Sequence, residues 1–210
     1  WYTNENVYFA IQSWAEALTE DNLNQWLNRY NLDTISPKTV GLVLAGNIPL
    51  VGFHDFISVL LSGHKVLVKT SSNDQHLLPF LAKYIISVEP KMKDYITFVE
   101  GKLENFDAVI ATGSNNTARY FEYYFKNIRR IIRKNRRSVA VLNGKETDKE
   151  MKGLASDIFL YFGLGCRNVS KIFLPKGYNL DKLFVCSSWA KSICEKELSL
   201  PSDDIHVIPL

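Results

Sequence analysis

Residues 40–69 read VGLVLAGNIPLVGFHDFISVLLSGHKVLVK, and the order of patterns inside them decides the fold class. The opening VGLVLA is a short unbroken apolar run, as in a parallel strand buried on both faces. It runs into Gly46, Asn47, Ile48 and Pro49, a turn through which neither strand nor helix continues. A helical stretch follows over residues 53–61, Ser62 and Gly63 close it, and residues 65–69 supply a second strand. Strand, loop, helix and strand within about thirty residues make a βαβ unit.

The theme repeats downstream. A helix is expected over residues 75–88, a short strand near 96–99 and a strand at 108–112. Gly113 and Ser114 then turn into a helix over 115–125, with strands at 131–133 and 139–142. The alternation predicts an α/β protein with a doubly wound parallel sheet, spanning residues 38–143. Upstream, Val7, Phe9, Ile11, Trp14, Ala15 and Leu18 recur near helical spacing. They predict one or two amphipathic helices with a core-facing stripe, an N-terminal arm over residues 1–37 that ends at Ser36 and Pro37. Beyond Lys145, a helical pattern over 147–162 leads to Cys166, a strand follows at 169–174, and a helix is expected from 183 to 198. Residues 144–210 thus form a further α/β portion.

With 210 residues, 46% of them hydrophobic, the chain can bury a sizeable core in one large domain or one and a half smaller ones. No apolar run is long enough to span a bilayer, since Asn47 and Pro49 interrupt the longest candidate. The chain starts without Met or a secretory pattern, so its start reads as internal or trimmed. Three cysteines, an odd number, argue against a disulfide framework and fit the cytoplasm. Cys186 and Cys194 read as packing residues, and four scattered histidines predict no metal site. The net charge of +3 is too small to define a partner. Its densest cluster, KNIRRIIRKNRR at 126–137, carries isoleucines where a strand would want them and no interleaved aromatic platform. A solvated strand face is therefore preferred to nucleic-acid binding, with an acidic partner left open.

Ligands of such sheets bind beyond the carboxyl ends of the strands. Two loops there are chemically unusual. AGNIPL sets the amide of Asn47 beside a proline, and Ala111, Thr112, Gly113 and Ser114 lead into a helix whose open N–H groups suit a phosphate. No GxGxxG run is present, which disfavours an ordinary Rossmann dinucleotide site. Later, residues 159–171, FLYFGLGCRNVSK, deliver Cys166 on a turn spaced by Gly163 and Gly165. Taken alone, that thiol suits either packing or nucleophilic attack.

In this order, GNIPL, VLVKTSSND, ATGS, VAVLNGK and GLGC resemble the aldehyde dehydrogenase superfamily, and most closely its acyl-CoA reductase branch, which includes the long-chain fatty acyl reductase of bacterial luminescence. The resemblance covers residues 7–184 and implies an aldehyde dehydrogenase-like fold, with a cofactor domain followed by the start of a catalytic domain. It gives Cys166 the position of the nucleophile and Asn47 that of an oxyanion-hole amide. Lys69 takes the place of the lysine that contacts the adenosine ribose, and Gly113 and Ser114 that of the turn meeting the pyrophosphate. Where many NAD-using relatives have a ribose-gripping glutamate, this chain has Ser72. A carboxylate there would repel a 2′-phosphate, so its absence favours NADPH over NADH.

The catalytic glutamate of aldehyde-oxidising members falls on Val141, and Lys171 stands where relatives often have arginine. Without that glutamate, the water that would hydrolyse an acyl-enzyme lacks its base. The resemblance therefore implies reduction of an acyl-CoA or acyl-protein thioester to the aldehyde, through an acyl-cysteine, with no metal and with a homo-oligomer as an allowed state. Two alternatives stay open at this stage: an incomplete, non-catalytic module that at most binds nucleotide, and a cofactor-independent thiol acyltransferase.

Overall fold

The computed structural model describes residues 2–32, 34–178, 183–185, 192, 195–196 and 205–207. It divides into two compact units: Trp1–Arg136 together with Leu164–Cys166, and Arg137–Gly163 together with Arg167–Leu210.

The first unit is built on five parallel strands: β1 (Thr39–Val43), β2 (Lys65–Lys69), β3 (Ile96–Phe98), β4 (Ala108–Thr112) and β5 (Arg129–Arg133), in the order β3-β2-β1-β4-β5. β1 is central because it is the strand with the fewest side chains able to meet water. Val40, Leu42 and the following Leu44 are buried, and they pair Val40 with Val66 on one side and with Ala108 on the other. Helix α3 (Phe53–Leu61) lays Phe53, Phe56, Val59 and Leu60 on the sheet. Phe56, Leu42, Val66, Val68 and Val109 are fully buried, each contributing about 1.5–3 kcal/mol by leaving water. Helices α4 (Leu77–Val88) and α5 (Asn115–Tyr124) follow β2 and β4, so the β1–β2, β2–β3 and β4–β5 connections each carry a helix, with a 3-10 extension at Pro90–Asp94, while β3 reaches β4 through a loop.

Helices α1 (Asn4–Ala17) and α2 (Glu20–Leu27) are each N-capped by a threonine, Thr3 and Thr19, whose hydroxyls accept from Asn6 and Asn22 backbone N–H groups. The stripe on α1 is not core-facing as a whole: Tyr8, Phe9 and Ile11 are exposed, and Ala10 is its buried member. The helix meets the sheet layer along one narrow line. Ala10 sits one turn from Trp14, which packs edge-on against Phe53 at 5.0 Å; Val7 and Leu18 continue this line half-buried, while Phe9, Ile11 and Ala15 lie off it and are exposed.

In the second unit, β6 (Ser138–Val141) pairs in parallel with β7 (Val169–Phe173), not with the first sheet that the alternation would have extended. Between them, α6 (Asp148–Phe159) starts with a reciprocal cap: the Thr147 hydroxyl accepts from Glu150 N–H and the Glu150 carboxylate accepts from Thr147 N–H. Residues 183–185, expected to begin a helix, are instead a strand, β8 (Leu183–Val185), in parallel with β9 (Ile205–Val207). The run Leu-Phe-Val is apolar and partly β-branched, which satisfies a strand as readily as a helix face. Ser192, Glu195 and Lys196 are helical, whereas Cys186 and Cys194 lie outside the described residues.

Candidate active site

Chain order reverses on either side of β1, with β2 to one side and β4 to the other. The loops that leave the carboxyl ends of β1 and β4 therefore run apart, and the space between them is where a ligand of this architecture sits. The loop after β1 carries Asn47, the turn after β4 carries Gly113 and Ser114, and the end of β2 carries Lys69. Backbone pairing continues just past the strands, from Leu44 N–H to Lys69 C=O and from Gly113 N–H to Arg133 C=O, both at 3.1 Å.

The Asn47 side chain reaches across 117 residues of sequence: its Nδ2 donates to the Leu164 carbonyl at 2.6 Å. That bond ties the GLGC turn to the loop after β1, two residues short of Cys166, whose thiol is free and exposed. The Asn47 loop is itself closely held. Leu50 lies in the left-handed region at φ 56° with a buried side chain, and Gly46 packs so tightly that a Cβ would stand 2.7 Å from both Cβ and Oγ of Ser71. From the arm, the Tyr2 hydroxyl donates to the Ile48 carbonyl at 3.2 Å.

Tyr2 also meets Asp74, an 8% exposed carboxyl in the turn after β2. Burial raises the Asp74 pKa, opposed by hydrogen bonds from Tyr2 and from the Leu77 N–H, and burial together with the Asp74 charge pushes the Tyr2 hydroxyl up. Neither residue stood out in the sequence. Asp74 had a usable signal, an aspartate three residues before a helical apolar run, whereas Tyr2 has none.

Lys69 Nζ donates to the Gly101 carbonyl at 2.7 Å, and Ser72 is exposed. The Ser114 hydroxyl is the N-cap of α5, accepting from Thr117 N–H at 3.1 Å and meeting Thr117 Oγ1 at 2.9 Å. The leading amides of α5, those of Asn115 and Asn116, are the donors a helix start leaves open. With Lys69 beyond the neighbouring strand, this set suits an anionic, phosphate-bearing ligand. Among the described residues, no group of three His, Cys, Asp or Glu side chains could hold a metal ion.

A second connection braces the same face. The Arg133 guanidinium, at the end of β5, donates to the Asp55 carboxylate in the first turn of α3, and His54 Nδ1 lies 3.3 Å from the same oxygen. Much of the basic cluster is thus spent locally. Lys134 pairs with Glu122 at 2.8 Å, and Arg130 Nη1 donates to the carbonyls of Phe125 and Lys126.

In the second unit, Val141 ends β6 and is 76% exposed, with no carboxylate at that position. The following turn is closed by Glu146, which accepts from the N–H groups of Asn143 and Gly144. Lys171 holds its ammonium over the Phe173 ring at 4.6 Å.

No curated protein matches the chain by sequence. Among solved structures, it is similar to an aldehyde dehydrogenase of Bacillus cereus in complex with NAD+ (18% identity, TM-score 0.58, 78% of this chain and 40% of that one). It is also similar to the propionaldehyde dehydrogenase of Rhodopseudomonas palustris with bound propionyl-CoA (13% identity, TM-score 0.59, 80% and 42%). A third is the NAD-dependent benzaldehyde dehydrogenase of Corynebacterium glutamicum (18% identity, TM-score 0.56, 65% and 33%). The chain spans between a third and about two fifths of the length of these structures, and the likeness is one of fold. The sequence matches the family described as acyl-CoA reductase (LuxC) over residues 16–202. The chain therefore belongs to the acyl-CoA reductase (LuxC) family, on an aldehyde dehydrogenase fold.

Proposed function

We propose that this chain carries the nucleophile and cofactor seat of an NADPH-dependent reductase of fatty acyl thioesters, either acyl-CoA or acyl-protein. The observation that carries it is the bond from the Asn47 amide to the Leu164 carbonyl, which brings an oxyanion donor to the turn bearing the free, exposed thiol of Cys166.

The Cys166 thiolate attacks the acyl carbonyl carbon, and a tetrahedral oxyanion forms. The second N–H of the Asn47 amide and the backbone N–H of Cys166 serve as its donors, worth most where charge develops. Collapse expels the donor thiolate and leaves an acyl-cysteine. With Val141 in the glutamate's place, no carboxylate there activates water against this thioester, so it persists for reduction. A bound nicotinamide supplies the hydride that takes the acyl group to the aldehyde level, and the Cys166 thiolate leaves as the aldehyde departs.

The residues present fit such a cofactor. The open amides of α5 and Lys69 are phosphate and ribose partners, and the one carboxylate in the turn after β2, Asp74, is buried with Tyr2 and leaves Ser72 exposed. A 2′-phosphate therefore meets no exposed negative charge in that turn.

Loss of NADPH absorbance on adding acyl-CoAs of graded length tests the proposal. Turnover that disappears in Cys166→Ala supports it. Turnover unchanged in Cys166→Ala overturns it, and acyl exchange indifferent to NADPH assigns an acyltransferase instead.

A further inference from the structure

Helix α6 does not end in an ordinary way. Its C-cap, Leu160, is extended (φ −52°, ψ 134°), and the next three residues, Tyr161, Phe162 and Gly163, are left-handed at φ 54°, 56° and 70°. Gly163 adopts this freely, but two aromatic residues in succession are strained by about 1–2 kcal/mol each. Such a turn persists only where its surroundings over-determine it. The last carbonyls of the helix also need donors, because no further turn of helix supplies them.

One side chain answers both needs. The half-buried amide of Asn168 places Nδ2 2.8 Å from the Asp157 carbonyl and 2.9 Å from the Leu160 carbonyl, with the Ile158 carbonyl at 3.5 Å. Its two N–H groups thus tie the end of α6 to a point eleven residues further along the chain, closing a loop at its base. Cys166 lies inside that loop, two residues before the tie. On the other side of the cysteine, Leu164 is gripped by Asn47.

We propose that Asn168 is a positioning residue for Cys166: it holds the loop that presents the thiol and acts through the backbone without touching substrate. The role deepens the assignment of Cys166 as nucleophile and rests on it. A thiol held at one end only would sample orientations from which the acyl carbonyl is out of line, and a displacement near 1 Å costs about 10²-fold in rate.

The test compares wild type, Asn168→Ala and Asn168→Asp in the whole chain, with Ser170→Ala as a control that removes a single hydrogen bond to the Ser138 carbonyl. Hydrogen exchange is read over residues 161–167, and kcat and KM are read with acyl-CoA and NADPH. In Asn168→Ala, the loop amides exchange about tenfold faster or more while β1 and β4 are unchanged, and kcat falls about 10–100-fold with KM within about twofold. Cys166 is still alkylated by iodoacetamide, because its thiol is already exposed with the tie in place and loosening the loop does not cover it. Asn168→Asp, near-isosteric, keeps the fold if the alanine variant loses it. Its kcat relative to wild type rises as pH falls, because the protonated acid regains a donor.

Exchange that speeds up while kcat stays at the wild-type value would overturn the positioning role and leave Asn168 a structural tie, and unchanged exchange would overturn the tie as well. A wild-type protein that does not turn over acyl-CoA refutes the parent assignment, while the exchange arm still judges the tie.

Discussion

Replacing Gly46 by alanine tests how the oxyanion loop is held. A Cβ at this position would stand 2.7 Å from Cβ and Oγ of Ser71 and 3.3 Å from the Asp74 N–H nitrogen. Carbon atoms at rest sit about 3.5–4.0 Å apart, so the loop and the turn after β2 must separate by about 1 Å. Ser71 cannot swing aside cheaply. Its offending atom is Cβ as well as Oγ, and Oγ accepts from the Asn73 N–H at 3.3 Å. Overpacking of this kind costs about 1–3 kcal/mol. The displaced residue is the neighbour of Asn47, whose amide is fixed on Leu164 at 2.6 Å, so an ångström of movement there reaches the oxyanion donor directly. Gly46→Ala should lower stability to urea by about 1–3 kcal/mol and kcat by about 10²-fold. Adding Ser71→Gly opens the space, and the double variant should recover most of both losses, a coupling that distant sites do not show. Full stability and full kcat in Gly46→Ala, or losses in the two single variants that simply add, would refute the close packing on which the site rests.

Three further outcomes follow from the same geometry. Asp55→Ala strands the Arg133 guanidinium, a third exposed, and should destabilise the first unit by about 3 kcal/mol in denaturant melts, at the low end for a broken buried pair. Ser114→Ala removes the cap of α5 and should cost about 1 kcal/mol; if the helix start also seats a phosphate, KM for NADPH should rise more than KM for acyl-CoA. Asp74 carries the pH prediction. Its folded pKa is raised, so the native state binds more protons than the unfolded chain above the ordinary carboxylate range near about 3.9, and its contribution is lost as pH rises through the folded value. Asp74→Asn should remove that decline and flatten stability between acid and neutral pH, as read by thermal melts across the range.

The parts of the fold that were legible in the sequence are those where one physical requirement dominated. β1 is buried at consecutive positions, and β2 and β4 alternate buried with half-buried residues, so none presents a fully solvated face and their centres VGLV, VLV and AVIA are apolar throughout. The α3 boundaries follow from its apolar face and the left-handed Gly63. β5 begins two residues before the expected 131–133, because its first residues are exposed arginines at a sheet edge, where pattern carries less information. Alternation could not tell which sheet β6 would join, since pairing with β7 depends on a partner thirty residues away. Likewise the α1 stripe had helical spacing, but spacing does not say how wide a contact the sheet layer offers.

At the candidate site, residue types in loops were visible while their partners were not. Asn47 and Cys166 could be picked out singly, yet the bond through Leu164 that joins their loops spans 117 residues. Asn168 carries no such signal, because helix ends are marked in sequence by glycines, and here an asparagine two residues beyond the cysteine does that work from outside the helix.

The central claim is that Cys166 accepts an acyl group from a thioester, and the mass of the intact protein after incubation with a long-chain acyl-CoA, before any NADPH is added, tests it most directly. The account predicts a single acyl adduct that maps to Cys166, is absent in Cys166→Ala, resists hydrolysis at neutral pH because Val141 replaces the water-activating carboxylate, and is discharged as aldehyde when NADPH is supplied. An adduct that forms equally in Cys166→Ala, or no adduct on a folded protein with its thiol reduced, would contradict it.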